Sequence, residues 1–264
     1  MRITVLGKSP SWPDAGGACS GYLVEDDDTF LLLECGSGVL AQLRRVCDYI
    51  DIDGVVVSHM HYDHFLDLIP YANALTYAPR QQPVPVAGWP GTAQPARPQL
   101  LLPPGGREIL RAVVAAGEQD GLVENAFDTR EYDIAESDRV GTLRLRFQPV
   151  PHFIATNAVE VTSDAGNGRF TFGADHRPTD ALSGFADSTD LLMLEATLPR
   201  PEREGPRGHL TPAEAGEHAT RCAAGRLVLT HMSDELDADW ALAEARRAFA
   251  GPVEVARAGA VYTV

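Results

Sequence analysis

Three histidines and one aspartate lie close together in the run Ser58-His59-Met60-His61-Tyr62-Asp63-His64. Zinc and similar divalent ions prefer imidazole nitrogen and carboxylate oxygen as ligands. The run follows the apolar stretch Gly54-Val55-Val56-Val57, so these side chains leave the end of a predicted strand. A surface loop rich in histidine is the alternative, but it does not explain why three of the eight histidines cluster here. The spacing therefore predicts a metal site, in which His59 and His61 face one ion while Asp63 and His64 face another.

Three further candidate ligands also follow predicted strands. His152 comes after Pro149-Val150-Pro151, Asp175 after Phe172-Gly173-Ala174, and His231 after Leu227-Val228-Leu229-Thr230. Open α/β sheets gather their binding groups at the ends of their strands. Any one of these residues alone would more often be capped or solvated, but four strand ends that offer ligands of one class favour a shared site.

Strand and helix patterns alternate along the chain, which is typical of an α/β fold. Helices are predicted around residues 40–50, 65–75, 107–116 and 239–250, and one more begins at Thr211, with Thr as N-cap, Pro212 at the first position and Glu214 three residues after the cap. The proline-rich segment 79–106 is predicted to be an irregular surface segment that contains one short strand. It would be either a lid on the substrate side or an inert loop. Asn167-Gly168 fits a tight hairpin. Strands are predicted at residues 2–6, 20–25, 29–34, 54–58, 143–149, 157–163, 169–173, 191–195, 227–230, 253–256 and 261–264.

Length and composition indicate one enzyme-sized unit. The 264 residues, 44% hydrophobic and 22% charged, predict a single domain with two packed halves, about 1–137 and 138–264. Residues 1–8 resemble a first strand more than a secretory segment, and no apolar stretch approaches a membrane span. The four cysteines form no CxxC pair, which favours a reducing compartment, so we expect a cytoplasmic protein without membrane association.

The net charge of −15 restricts the class of partner. Such a surface repels long polyanions unless a local basic patch or bound cations offset its negative charge. Small anions are repelled less strongly.

The run Ser58 to His64 resembles the HxHxDH signature of the metallo-beta-lactamase superfamily, and the similarity extends from the first strand to the last helix. The resemblance implies a four-layer αββα sandwich with a dinuclear metal site at one edge. It also implies that His59, His61 and His152 bind the first metal, that Asp63, His64 and His231 bind the second, and that Asp175 bridges both. The two divalent ions are expected to be zinc, although manganese or iron would suit the same ligands.

Three other segments are similar to the phosphodiesterase branch that includes ribonuclease Z and cyclic-nucleotide phosphodiesterases. Gly173-Ala174-Asp175-His176-Arg177-Pro178 resembles its GDTxP-type loop, with His176 where Thr is usual, Leu194-Glu195-Ala196-Thr197 resembles its EAT segment, and Gly208-His209-Leu210-Thr211 its GHxT segment.

This likeness implies catalytic roles for His209, Glu195 and Asp63. His209 would be the general acid, Glu195 would accept a hydrogen bond from its other nitrogen, and Asp63 would receive a proton from the bridging water. The alternatives are a histidine packed outside an N-cap and a strand-end carboxylate bound to backbone. His176 and His218 are predicted to be non-ligands, with His218 solvated on its helix. Arginines of the loop 199–207 either contact phosphate or belong to an ordinary solvated loop.

The predicted function is a dinuclear zinc phosphodiesterase that acts on a small phosphodiester such as a cyclic nucleotide. Processing of tRNA 3' ends is the close alternative, with RNA as partner, but the long basic arm of ribonuclease Z proper is not evident in the sequence. A hydrolase of lactones, thioesters or other carbonyl esters and a non-catalytic metal-binding module are further alternatives. Relatives commonly dimerise, so a homodimer is an alternative to a monomer.

Overall fold

Two seven-stranded sheets form the centre of the computed structural model, which describes residues 1–83, 88, 91–166, 168–202 and 204–264. The first sheet has the order β14-β1-β2-β3-β4-β5-β6 and the second the order β13-β12-β11-β10-β9-β8-β7. Their strands are β1 (Arg2–Gly7), β2 (Gly21–Asp26), β3 (Thr29–Leu33), β4 (Gly54–Val56), β5 (Gln99–Leu102), β6 (Asp128–Glu131), β7 (Asp138–Val140), β8 (Leu143–Val150), β9 (Thr156–Ser163), β10 (Arg169–Phe172), β11 (Leu191–Glu195), β12 (Leu227–Thr230), β13 (Val253–Val255) and β14 (Val261–Thr263).

Helices cover the outer face of each sheet. They are α1 (Val39–Val46), α2 (Tyr62–Phe65), α3 (Leu68–Tyr77), α4 (Gly106–Ala115), α5 (Leu122–Ala126), α6 (Ala181–Phe185), α7 (Pro212–Arg221) and α8 (Ala238–Arg246). Three apolar cores separate the layers, one between the sheets and one under each set of helices. Along β3, Leu31 and Leu33 enter the central core while Leu32 enters the helix-side core, because successive side chains of a strand point to opposite faces. The predicted αββα sandwich is confirmed.

The strands nearest the site run parallel within each sheet. β3, β4, β5 and β6 pair in parallel in the first sheet, and β10, β11, β12 and β13 do so in the second. Their carboxyl ends, where most of the candidate ligands follow, therefore lie at one edge of each sheet. His152 follows β8, which is antiparallel to β9 and so runs in the same direction as β10.

The helix predicted at 65–75 corresponds to α3, which begins at Leu68, and a separate short helix, α2, precedes it. Asp67 lies between the two helices. Its backbone N–H donates to the carbonyl of Cys35, and its carboxylate accepts from the Leu40 N–H. These tertiary hydrogen bonds interrupt the helix, and α2 is left as a single turn that carries Asp63 and His64. The predicted start of α7 is confirmed, because Thr211 and Glu214 form a reciprocal capping box.

The described residues of the segment 79–106 include a 3₁₀ turn at Pro79–Gln81 and the strand β5. Residues 84–87, 89 and 90 lie outside the described residues, as does Asn167 of the predicted hairpin. None of the helices in the described ranges combines the length and apolar character that crossing a bilayer requires. All four cysteines are free thiols.

Candidate metal centre

The histidine-rich run is held in place by the backbone beneath it. After β4 the chain turns, and His61 is the N-cap residue of α2. The Asp63 carbonyl packs directly on Gly36, where an added Cβ would lie only 1.8 Å from that oxygen. A side chain at position 36 would therefore displace the helical turn that presents two of the candidate ligands.

His59, His61 and His152 form the first ligand group. His61 Nδ1 lies 3.1 Å from His59 Nε2 and 3.1 Å from His152 Nε2. A tetrahedral zinc ion places its nitrogen ligands roughly 3.3 Å apart, so the spacing of these nitrogens fits a single ion. The Gly208 carbonyl accepts from His152 Nδ1 at 2.8 Å, which fixes the tautomer and leaves Nε2 free to bind a metal.

Asp63, His64 and His231 form the second ligand group. Asp63 Oδ2 lies 3.0 Å from His231 Nε2 and 3.5 Å from His64 Nε2. Both ring nitrogens of His64 are buried without a hydrogen-bond partner. Because buried polar atoms are normally paired, the orphaned Nε2, which faces Asp63 and Asp175, fits a site built to hold an ion.

Asp175 lies between the two groups, as expected for a bridging ligand. Its Oδ2 is 3.9 Å from His59 Nε2 and 4.0 Å from His152 Nε2 on one side. On the other side it is 3.5 Å from His64 Nε2 and 3.3 Å from His231 Nε2. One carboxylate oxygen thus belongs to both groups, and all seven predicted ligands are brought together.

The pKa values within the site suit metal binding. Burial lowers the pKa of His59 and His61, and it lowers the pKa of His152 to about 4, so these imidazoles are neutral at pH 7 and have a free lone pair. His64 behaves oppositely: burial alone would lower its pKa, but the charges of Asp175 and Glu34 outweigh that effect and raise it. The carboxylates around His64 therefore favour positive charge at this position, which a bound cation would also supply.

Glu195 and His209 form a hydrogen-bonded pair beside Asp175. His209 Nδ1 lies 3.0 Å from Glu195 Oε1 and 3.8 Å from Asp175 Oδ2. Burial alone would lower the pKa of His209, but its hydrogen bond to Glu195 and the charge of that carboxylate raise it to about 9. Glu195 also accepts a hydrogen bond from the His176 backbone N–H. The two alternatives for this carboxylate, a bond to backbone and a bond to His209, are therefore both present. A buried acceptor thus holds an imidazolium next to the ligand groups.

The prediction of a solvated His218 is wrong. His218 is fully buried on the same face of α7 as Ala215 and Ala219, and its ring packs edge-on against His176 at 5.2 Å. Burial, together with the neighbouring charges of His176 and Arg221, lowers the pKa of His218 to about 3. Small neighbours on a buried helix face leave room for an imidazole, which explains the difference. Neither His176 nor His218 lies in a ligand group.

Two residues that contribute to the site were not predicted. Glu34 is fully buried at the end of β3, where its Oε1 accepts from the Ser58 N–H and its Oε2 lies 3.5 Å from His64 Nδ1. A glutamate directly after an apolar strand was the available signal. Thr197, which bonds to both Glu195 and His231, had no signal beyond its place in the EAT segment.

The loop 199–207 is only partly described, because Arg203 lies outside the described residues. Arg207 is paired with Glu214, the residue that completes the cap of α7. Its guanidinium therefore pairs with a carboxylate at the start of α7 instead of contacting a phosphate.

Comparison with known proteins agrees with this geometry. A family model described as the Beta-lactamase superfamily domain matches residues 29–232. Ribonuclease Z of Myxococcus xanthus is 30% identical and is matched over 97% of this chain and 95% of its own length. The crystal structure of the metallo-beta-lactamase fold protein YhfI from Bacillus subtilis superposes with a TM-score of 0.84 at 24% identity, covering 100% of this chain and 99% of that one. The short form of human tRNase Z superposes with a TM-score of 0.73 at 20% identity, covering 100% and 99%.

The matched residues include the run Ser58 to His64, Asp175, which is common to both groups, and the Glu195 segment. The two groups of His and Asp side chains at the strand ends could each hold a divalent metal ion. The chain therefore belongs to the metallo-beta-lactamase superfamily, in its ribonuclease Z-like branch, and is a metal-dependent hydrolase.

Proposed function

We propose that this protein is a dinuclear metal phosphodiesterase, with zinc as the preferred ion, that hydrolyses a small phosphodiester such as a cyclic nucleotide. The observation that carries the proposal is the hydrogen bond between Glu195 and His209. His209 Nδ1 also lies 3.8 Å from Oδ2 of Asp175, the carboxylate shared by both ligand groups. Hydrolysis of a phosphodiester leaves a poorly stabilised alkoxide, which needs a proton from a positioned acid. The pair supplies a charged imidazolium at that place.

Seven side chains would hold the ions in this proposal: His59, His61 and His152 at one position, Asp63, His64 and His231 at the other, and Asp175 at both. When bound, such ions lower the pKa of a coordinated water and stabilise charge on a phosphoryl oxygen. His209 donates a proton to the leaving oxygen. Glu195 keeps His209 charged and oriented, and Asp63 would accept a proton from the attacking water.

Charge and size favour a small substrate. The chain has a net charge of −15, and counterion release makes affinity for long nucleic acid depend on clusters of Lys and Arg. The connection from His152 to β9 spans only residues 153–155, too short for a projecting basic arm. A small anion that is bound mainly by the ions requires neither feature.

Processing of tRNA 3' ends is the second candidate. The observation in its favour is the 30% identity with ribonuclease Z of Myxococcus xanthus over nearly the whole of both chains. The Glu195–His209 pair serves an RNA phosphodiester equally well, so the two candidates differ in substrate rather than in chemistry.

A substrate panel separates the candidates. Purified protein loaded with Zn²⁺ is assayed with cyclic AMP, bis(p-nitrophenyl) phosphate, a precursor tRNA, a lactone and a thioester. Hydrolysis of cyclic AMP with little cleavage of the tRNA is the expected result. Cleavage of the tRNA alone would favour the second candidate, and activity confined to the lactone or thioester would contradict the proposal.

A further inference from the structure

Thr197 touches both parts of the site through one hydroxyl group. Its Oγ1 lies 2.6 Å from Glu195 Oε2, 2.8 Å from His231 Nδ1 and 3.1 Å from the His231 carbonyl oxygen. We propose that Thr197 is a positioning residue that holds His231 and Glu195 at once and so couples the second ligand group to the acid pair. The part concerning Glu195 rests on the function proposed above, whereas the part concerning His231 rests only on the ligand geometry.

The fold brings these residues together at adjacent strand ends. β11 and β12 are parallel, with Glu195 in register with Thr230, and the Ala196 N–H donates to the Thr230 carbonyl. The chain leaves β11 two residues before Thr197 and leaves β12 one residue before His231. Thr197 therefore faces His231 across the gap between the strands.

The direction of each hydrogen bond follows from the number of hydrogens. The hydroxyl has one hydrogen, and a carboxylate can only accept, so the shortest contact is donation from Thr197 to Glu195 Oε2. The lone pairs of Oγ1 are then left to accept from His231 Nδ1–H. The proton of His231 is thereby fixed on Nδ1.

This tautomer leaves the lone pair of His231 on Nε2, which points into the second ligand group. Nε2 lies 3.0 Å from Asp63 Oδ2 and 3.3 Å from Asp175 Oδ2. A partner that fixes the tautomer of a ligand histidine typically contributes 10–100-fold to metal affinity. Loss of the Thr197 hydroxyl should therefore weaken the ion held by this group.

The same hydroxyl completes the hydrogen bonding of Glu195. Oε1 accepts from His209 Nδ1 and from the His176 N–H, while Oε2 accepts from Thr197. Glu195 is buried, so an unfilled Oε2 would favour rotation of the carboxylate toward another donor. Such a rotation would move Oε1 away from His209.

The test compares Thr197→Val, which removes the hydroxyl at nearly constant volume, with Thr197→Ser, which retains it. Zn²⁺ affinity is measured by competition with a chromophoric chelator. In Thr197→Val one of the two Zn²⁺ affinities should fall about 10–100-fold while the other is unchanged, and Thr197→Ser should restore wild-type values. Thr230→Val is the matched control, because it removes a buried hydroxyl next to His231 that bonds to the Tyr22 hydroxyl instead.

A second measurement reads the coupling to the acid pair. At saturating Zn²⁺, Thr197→Val should lose more turnover with cyclic AMP, whose leaving alkoxide needs a proton, than with bis(p-nitrophenyl) phosphate. Equal losses on the two substrates would overturn the coupling. Unchanged Zn²⁺ affinity, equal weakening of both ions, or a serine variant as impaired as the valine variant would overturn the role at His231.

A third measurement needs no variant. Long-range ¹H–¹⁵N NMR spectra of the Zn²⁺-loaded wild type should show His231 protonated on Nδ1, and protonation on Nε2 would overturn the inference. If the protein hydrolyses no phosphodiester, the proposed function fails, but the affinity and NMR measurements still decide the role of Thr197 toward His231.

Discussion

Replacement of His209 by alanine tests the acid that the site supplies. His209 hydrogen-bonds to Glu195 at 3.0 Å, and in the metal-free protein its pKa of about 9 keeps nearly all of it charged at pH 7. General acid catalysis contributes typically 10²–10⁴-fold, so His209→Ala should lower kcat for cyclic AMP by about 10²-fold or more. This loss corresponds to about 3 kcal/mol or more of transition-state stabilisation.

The assay compares two leaving groups at saturating Zn²⁺. p-Nitrophenolate departs without protonation, so the variant should retain much more of its activity with bis(p-nitrophenyl) phosphate than with cyclic AMP. Metal content, measured by plasma mass spectrometry on the same samples, should equal that of the wild type. Full turnover of cyclic AMP by the variant, or losses that are the same for both substrates, would refute the general-acid role, and loss of metal would show that His209 is a ligand instead.

Three further predictions follow from the geometry. In protein stripped of metal, NMR titration should give a pKa of about 9 for His209, and Glu195→Gln should lower that pKa, because burial is then opposed only by the charges of Asp175 and Glu202. The stability that this pair contributes is complete below pH about 6.5 and is lost as the pH rises through 9, since the folded pKa is the raised one. His61→Ala should remove metal and activity together, measured by metal analysis and turnover. Gly36→Ala should lower the free energy of unfolding in urea by roughly 1–3 kcal/mol and weaken Zn²⁺ binding, because the added Cβ meets the Asp63 carbonyl.

Matched controls separate local damage from effects on the site. Gly216→Ala also places a Cβ against backbone, 2.3 Å from the Ala245 carbonyl oxygen, but lies away from both ligand groups. It should lower stability without changing Zn²⁺ affinity. His218→Gln should retain full metal content, in contrast to His61→Ala. A titration in which Glu195→Gln leaves the pKa of His209 near 9 would contradict the assigned partner.

Local patterns were enough to predict most of the elements. The start of α7 was predictable because the capping box of Thr211 and Glu214 is formed within four residues. β3 was predictable because both of its faces are buried and its apolar run is continuous. β6 was not predicted, since its sequence Asp-Thr-Arg-Glu is polar and largely exposed at the edge of the sheet, where pairing with β5 alone defines it.

The site was predictable where its ligands follow strands and not where it depends on distant partners. The run His59 to His64 is local, and its residue types restrict its chemistry. The role of Glu34 arises from a histidine 30 positions away, and the break before α3 arises from contacts of Asp67 with Cys35 and Leu40. No periodicity encodes such contacts, which form only when the layers pack.

The most direct test of the account is anomalous diffraction from crystals of the Zn²⁺-loaded protein, recorded on both sides of the zinc absorption edge. We expect two peaks per chain, one among His59, His61 and His152 and the other among Asp63, His64 and His231, with Asp175 between them. A fully active crystal with one peak, or with no peak among these residues, would contradict the dinuclear site.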